Sequence, residues 1–344
     1  MSAATDRLPK QACSPWGGRR NAPRGRQTGA AILLAMLTVT LVATVAAAAL
    51  WQQWRSLEVE TAERARVQAA WVLTGALDWS RLVLREDSRT SANADHLAEP
   101  WAVPLEEARL STFLAADRDN QANVDELGED AFLSGQITDL QSRLNVSNLV
   151  NNGQIEPIVL RQFSKLFTLL DLPQAELDRL VEQLRSASDF STNNKAAGSA
   201  PLRPQRIEEL AWLGLSPQSL NALSPYITLL PERNTKINVN TASAEVLYAS
   251  FEALDLAGAK QLVASRERNH FQSLSEVSAA EGGVKGEPSA DLFSVNTRFF
   301  EVRGQLRIGQ TTVLERSLVQ RDAVQQAAST RVIWRERVPA QSLQ

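Results

Sequence analysis

The sequence predicts an α+β protein in which a long amino-terminal helix packs on an antiparallel sheet and a helical insert interrupts that sheet. Three observations predict it. An uncharged apolar run from Ala30 to Leu50 continues into helical patterning, helix-period segments occupy the middle of the chain, and apolar and polar side chains alternate near the carboxyl end.

The run AAILLAMLTVTLVATVAAAAL is long enough, as a helix, to cross the hydrocarbon core of a membrane. Its polar side chains are Thr38, Thr40 and Thr44, each able to bond its own helix backbone. Arg7, Lys10, Arg19, Arg20, Arg24 and Arg26 precede the run against Asp6 alone, whereas Glu58 and Glu60 follow it. The positive-inside rule then keeps residues 1–29 in the cytoplasm and exports the rest, with Trp51 and Trp54 at the far interface. A cleaved secretory signal and a plain signal anchor are the competing readings. Against the first, the helical pattern passes Leu50 and runs on through Trp71, Leu77 and Leu84 without a turn signal.

Residues 51 to about 87 read as a stem helix with Leu57, Ala65, Val72, Trp79 and Leu82 forming its apolar stripe. Residues Ala131 to Val150 alternate enough to suggest a hairpin of short strands. Helical patterning returns from Pro157 to Leu184, a Ser/Asn/Gly-rich connector follows to Pro204, and a helix capped by Asn240 or Thr241 is expected to begin near Ala242. Finally, Phe300, Val302, Leu306 and Ile308 alternate with Glu301, Arg303, Gln305 and Arg307. With Val313 to Arg321 and Thr330 to Arg337 they predict an antiparallel meander.

Composition excludes most catalytic classes. Cys13, the single cysteine, lies in the basic leader, so the rest of the chain forms no disulfide and offers no thiolate. Two histidines, His96 and His270, are too few for a histidine-rich metal centre. No GxSxG turn occurs, and the pairs Glu106/Glu107 and Glu208/Glu209, read on helices, point apart. An enzyme is not expected. The net charge of −3, with the leader basic, leaves the remainder mildly acidic and a poor partner for nucleic acid.

RGRQTG joined directly to AAILLAML resembles a prepilin-type signal. Farther along, AEPWAVPL (Ala98 to Leu105), GQITDLQSRLNVSNL (Gly135 to Leu149), SPYITLLPERNTKINVNTASAEVL (Ser224 to Leu247), VNTRFFEV (Val295 to Val302) and VIWRER (Val332 to Arg337) appear in order. Through these stretches the chain resembles, along nearly its whole length, the minor pseudopilin K family of the bacterial type II secretion system. The resemblance implies a pilin-like α/β domain carrying a large helical insertion. Residues 1–29 would be the leader, 30–50 the transmembrane helix and 51–150 the stem helix with the first strands. Residues 151–290 would be the inserted domain and 291–344 the last strands.

The same resemblance implies a prepilin peptidase cutting after Gly29 and methylation of Ala30. The fifth mature residue is Leu34 where most pilin-like proteins carry glutamate, a replacement characteristic of the K type. Implied too are a single-pass place in the inner membrane with the carboxyl-terminal domain in the periplasm, partnership with minor pseudopilins I and J and other pseudopilins, and a position at the pseudopilus tip.

Two motifs admit other readings. INVNTASAEVL (Ile237 to Leu247) resembles the opening of the helix-hairpin-helix repeats in membrane-anchored competence-type DNA receptors, the rival function. The stretch LDLAGAK (Leu254 to Lys260) keeps only Gly258 of the usual glycine pair, however, so Asn238 and Asn240 read as backbone-bonding and capping residues. The acidic loop with Asp117, Asp119, Asn123, Asp125, Glu129 and Asp130 has oxygen ligands of the kind calcium takes, but Ala122 and Gly128 break the EF-hand pattern. The family resemblance would put calcium in the helical insert, whose connector supplies Asp189 alone. Both stretches read as solvated surface, calcium is the one cofactor the resemblance admits, and no ligand set is assigned.

Overall fold

The computed structural model describes residues 28–90, 94–111, 131–188, 200–280, 288–322 and 329–338. The leader with Cys13, the Asp117 to Asp130 loop and Asp189 lie outside them. Helix α1 (Thr28–Thr90) is continuous, and the chain divides into two units, Met1–Thr61 and Ala62–Gln344.

In the first unit the apolar side chains of α1 are exposed among the described residues. Ile32, Leu33, Leu34, Met36 and Leu37 are each between 62 and 70% exposed. Thr38, Thr40 and Thr44 donate their hydroxyls to carbonyls three residues back at 2.8–2.9 Å, the self-bonding that an apolar solvent demands. Trp51 and Trp54 meet edge to face at 6.2 Å.

The second unit is built on a five-stranded sheet of β1 (Leu105–Arg109), β2 (Ala131–Asp139), β3 (Phe299–Ile308), β4 (Thr311–Asp322) and β5 (Ser329–Val338). The strands lie in that order with every neighbouring pair antiparallel. β3 to β5 are the meander expected from the alternation. The β3–β4 turn is tight, and Gly309 supplies its positive φ of 54°. Glu106 and Glu107 lie on strand β1, not on a helix, so it is pleating that points them apart, and Glu107 bonds Arg307 at 2.8 Å.

The stem buries a different stripe from the expected one. Ala69, Leu73, Leu77 and Leu84 lie against the sheet, while Leu57, Trp79 and Leu82 are 58, 51 and 47% exposed and Val72 is half-buried. Apolar residues occur on two flanks of α1, and helical period alone does not say which flank meets the sheet. Close approach decides it: the paired glycines Gly135 and Gly304 leave a shallow floor beneath Leu73.

β2 and β3 are neighbours in the sheet, yet everything from Leu140 to Arg298 lies between them in sequence. This insert is helical: α2 (Pro157–Leu169), α3 (Gln174–Ala187), α4 (Pro217–Leu223), α5 (Ala244–Ser250), α6 (Leu256–Arg268) and α7 (Leu274–Ala279). Its core gathers Phe163, Leu166, Phe167, Leu177, Leu210 and Val246, all but solvent-free.

Several local expectations change. The helical run from Pro157 to Leu184 is two helices, broken where Asp171 adopts φ 55° and Pro173 removes a donor. The expected hairpin from Ala131 to Val150 is one long strand followed by 3-10 turns at Leu140–Ser142 and Val146–Leu149. The carboxylate of Asp139 and the amide oxygen of Asn145 accept the N–H groups two residues on, which turns the chain out of the sheet. Helix α5 begins at Ala244 with Ser243, not Asn240 or Thr241, as its cap, because those two side chains are committed elsewhere.

Candidate functional site: a buried junction between sheet and insert

Where the insert leaves and re-enters the sheet, the stretches singled out in the sequence converge. Asp139, at the end of β2, is buried. Its Oδ1 accepts the Gln141 N–H at 2.7 Å, and its Oδ2 accepts from Asn238 Nδ2 at 3.1 Å, Thr241 Oγ1 at 2.5 Å and Thr297 Oγ1 at 2.7 Å. Burial raises its pKa to about 6 against the pull of those hydroxyl and backbone donors.

Asn238 also donates to the Asp95 carbonyl at 3.1 Å, and its oxygen accepts the Asn240 N–H at 3.0 Å. Asn240 in turn grips the backbone of Phe271 from both sides, at 2.9 Å each. Gln141 bridges the Lys236 carbonyl and the Arg298 N–H, both at 2.7 Å. Asn145 reaches Glu232 and Thr235 at 2.9 Å and accepts from Leu230 at 3.0 Å. Asparagine recurs here because one short side chain both donates and accepts, so it can close irregular backbone that strands and helices leave open.

A second polar cluster adjoins the first. Arg321, on β4, donates to Asp87 Oδ2 at 2.8 Å, to the Thr297 carbonyl at 2.9 Å and to Asp95 Oδ1, and lies over the Phe300 ring at 4.8 Å. Asp95 Oδ2 accepts the Thr297 N–H at 2.6 Å. Glu99 Oε2 accepts from Trp101 Nε1 at 2.8 Å and from the His96 N–H at 2.9 Å. Burial, then the neighbouring Glu99 charge, pushes Asp87 up to about 7 against the attraction of Arg321.

Asp87, Asp95 and Glu99 bring carboxylate oxygens within 4.8 Å of one another, spacing that would suit a cation. The donor set does not fit calcium. Arg321 already bonds two of the three carboxylates, and a second cation would have to sit beside its guanidinium. The candidate ligands of the sequence, from Asp117 to Asp130 and at Asp189, fall outside the described residues.

Asn238 is fully buried and Asn240 is 2% exposed, so the motif that resembles a DNA-binding hairpin turns its polar side chains into the junction, away from any phosphate. Asp95, Asp139, Thr297 and Arg321 were not foreseen from the sequence. The one local signal was an acid closing an apolar alternation, GQITD, which marks a carboxylate about to cap a turn. Gly29, Ala30 and Leu34 sit in the first turns of α1, in the other unit.

A membrane-length helix that continues into an antiparallel sheet, with a helical insert locked between adjacent strands, defines a pilin-like subunit. Two family models, both described as type II secretion system (T2SS), protein K, match residues 142–232 and 237–296. Type II secretion system protein K of Pseudomonas aeruginosa is 28% identical over 87% of this chain and 90% of its own length. Its counterpart in Pectobacterium carotovorum is 26% identical over 86% and 93%. In fold the chain is similar, with a TM-score of 0.62 and 19% identity over 81% of its length and 98% of the other, to a chain of the crystal structure of the GspK-GspI-GspJ complex from the enterotoxigenic Escherichia coli type 2 secretion system. By these matches the chain is similar over most of its length to type II secretion system protein K, and it is a minor pseudopilin of that system.

Proposed function

We propose that this minor pseudopilin is the tip subunit of a periplasmic pseudopilus, anchored by α1 in the inner membrane with its second unit exported, and supports passage of folded proteins across the outer membrane. Its role on this reading is assembly and not chemistry, with pseudopilins I and J as its partners. The named complex of the structurally similar chain supports those two partners.

One observation carries the tip position: the apolar segment of α1 holds no acid before Glu58, and Leu34 occupies the fifth place after Gly29. In a bundle of such helices a glutamate there would meet the amino-terminal charge of the subunit ahead, and an unpaired charge inside an apolar bundle is costly. A subunit with nothing ahead of it has no such amine to meet. On insertion scales an unpaired carboxylate would instead cost about 2.5–3.5 kcal/mol. A bulky helical insert also suits an end better than a repeating shaft.

Cleavage by the prepilin peptidase between Gly29 and Ala30 is part of the same reading. Amino-terminal sequencing of the membrane form should begin at Ala30, and Gly29→Ala should block maturation. Immunogold labelling of overexpressed pseudopili should mark one end. Label along the shaft would refute the tip position, and an intact leader would refute the processing.

A further inference from the structure

We propose that a cavity between the insert and the outer face of the sheet is a receptor for a single carboxylate carried on an acidic side chain of a partner protein. The cavity measures about 100 Å³ and opens where residues 205–208 of the insert approach β3, β4 and β5. Gly304 faces Leu73 of the stem, so by strand alternation its neighbour Arg303, paired with Arg316, points to the opposite face.

Guanidiniums outnumber carboxylates around this space. Arg303 Nε donates to Glu301 Oε1 at 2.5 Å. Arg316 donates to Glu336 at 2.5 and 2.9 Å and to Glu208 at 3.2 Å, and Arg206 pairs with Glu336 at 2.9 Å. Those three carboxylates are thereby committed. Arg143 also lines the cavity, and its side chain has no hydrogen bond or ion pair among the described residues. Burial depresses its guanidinium pKa, with Glu301 the largest opposing charge.

One cation in excess calls for one monovalent anion, and a guanidinium fork matches a carboxylate edge to edge. A phosphate dianion would bring two charges to one surplus beside Glu208 and Glu301. Leu140, Ile207, Leu229 and Trp334 form the apolar part of the walls, suited to the aliphatic stem of an acidic side chain, beside the polar Gln205, Ser224 and Thr228. Such a site would let a partner register itself against insert and sheet together.

The test uses the full chain in detergent micelles and follows modification of Arg143 by phenylglyoxal, with peptide mapping by mass spectrometry and Arg179, exposed on the insert, as control. N-acetyl-glutamate N-methylamide should protect Arg143 saturably, by about tenfold when present at ten times its Kd, and leave Arg179 unaffected. Its glutamine counterpart and inorganic phosphate should protect neither. No saturable protection by the glutamate probe, or equal protection by the glutamine probe, would overturn the proposal. Tighter protection by phosphate or by free succinate would overturn it too, in favour of a small free anion.

Discussion

His96 and His270, the two histidines of the chain, lie face to face with ring centroids 3.6 Å apart and planes inclined by 18°. One precedes β1 and the other joins α6 to α7, so the stack clips the insert to the segment that follows the stem. His96 Nδ1 accepts the Ala98 N–H at 3.3 Å, and His270 Nε2 lies 2.6 Å from the Gln272 amide nitrogen.

Burial depresses both imidazoles, and His270 is depressed further by His96, while Asp87 and Asp95 pull His96 upward and Glu276 does the same for His270. His96 and His270 line a surface cavity of their own, together with Arg266 and Arg268. A base with a folded pKa below its ordinary 6.5 contributes stability that is complete above that value and declines as pH falls beneath it. The share of stability that the pair contributes to the chain in micelles should therefore fall on acidification from about pH 7 toward pH 5, opposite in sign to the buried acids Asp87 and Asp139. His270→Phe, which keeps the stack and removes the charge, should flatten that part of the profile. An unchanged slope in the variant would show that the pair does not titrate in this window.

Asp139 has the opposite sign. Its pKa, raised from 3.8 to about 6, means that its contribution is complete below the lower value and lost as pH climbs through the upper one. The shift corresponds to about 3 kcal/mol as an order of magnitude. Asp139→Asn should remove the Asp139 share of the dependence between about pH 4 and 6 and leave that of Asp87. Asp139→Ala should cost on the order of 3 kcal/mol at any pH, because Asn238, Thr241 and Thr297 lose a shared acceptor. Urea unfolding across that pH range measures both.

Arg321 holds two buried acids, and its removal should be expensive. Arg321→Met should destabilise by about 3–5 kcal/mol, since Asp87 and Asp95 are then left without their cation. Adding Asp95→Asn to that variant should recover part of the loss, a coupling that a double-mutant cycle reads directly. Strict additivity would mean that the pair acts independently.

Under the stem, Gly135→Ala and Gly304→Ala should differ. A Cβ at Gly135 would lie 3.0 Å from the Arg303 carbonyl oxygen, which is backbone and cannot yield, so a loss of about 1–3 kcal/mol is expected. At Gly304 the obstacle at 3.0 Å is the end of the Leu73 side chain. The penalty there should be smaller and should shrink when combined with Leu73→Ala. Equal penalties in thermal unfolding would contradict this account of the close approach.

Period and composition are local properties, and what depends on them was legible in the sequence. The apolar length of α1, its basic leader, the self-bonded threonines and the β3 to β5 meander all follow from patterns within a few residues. The class of protein followed too, from stretches whose order identifies the family.

Tertiary structure decided which flank of α1 is buried, because both flanks carry apolar side chains and only the glycine floor of Gly135 and Gly304 selects Leu73 over Trp79. It also decided that Asp139, Asn238 and Thr297 meet. No period encodes that meeting: a buried carboxylate or amide must find its partners wherever the folded chain brings them, and here Asp139 closes β2 while Asn238 and Thr297 stand 99 and 158 residues farther along, inside the insert.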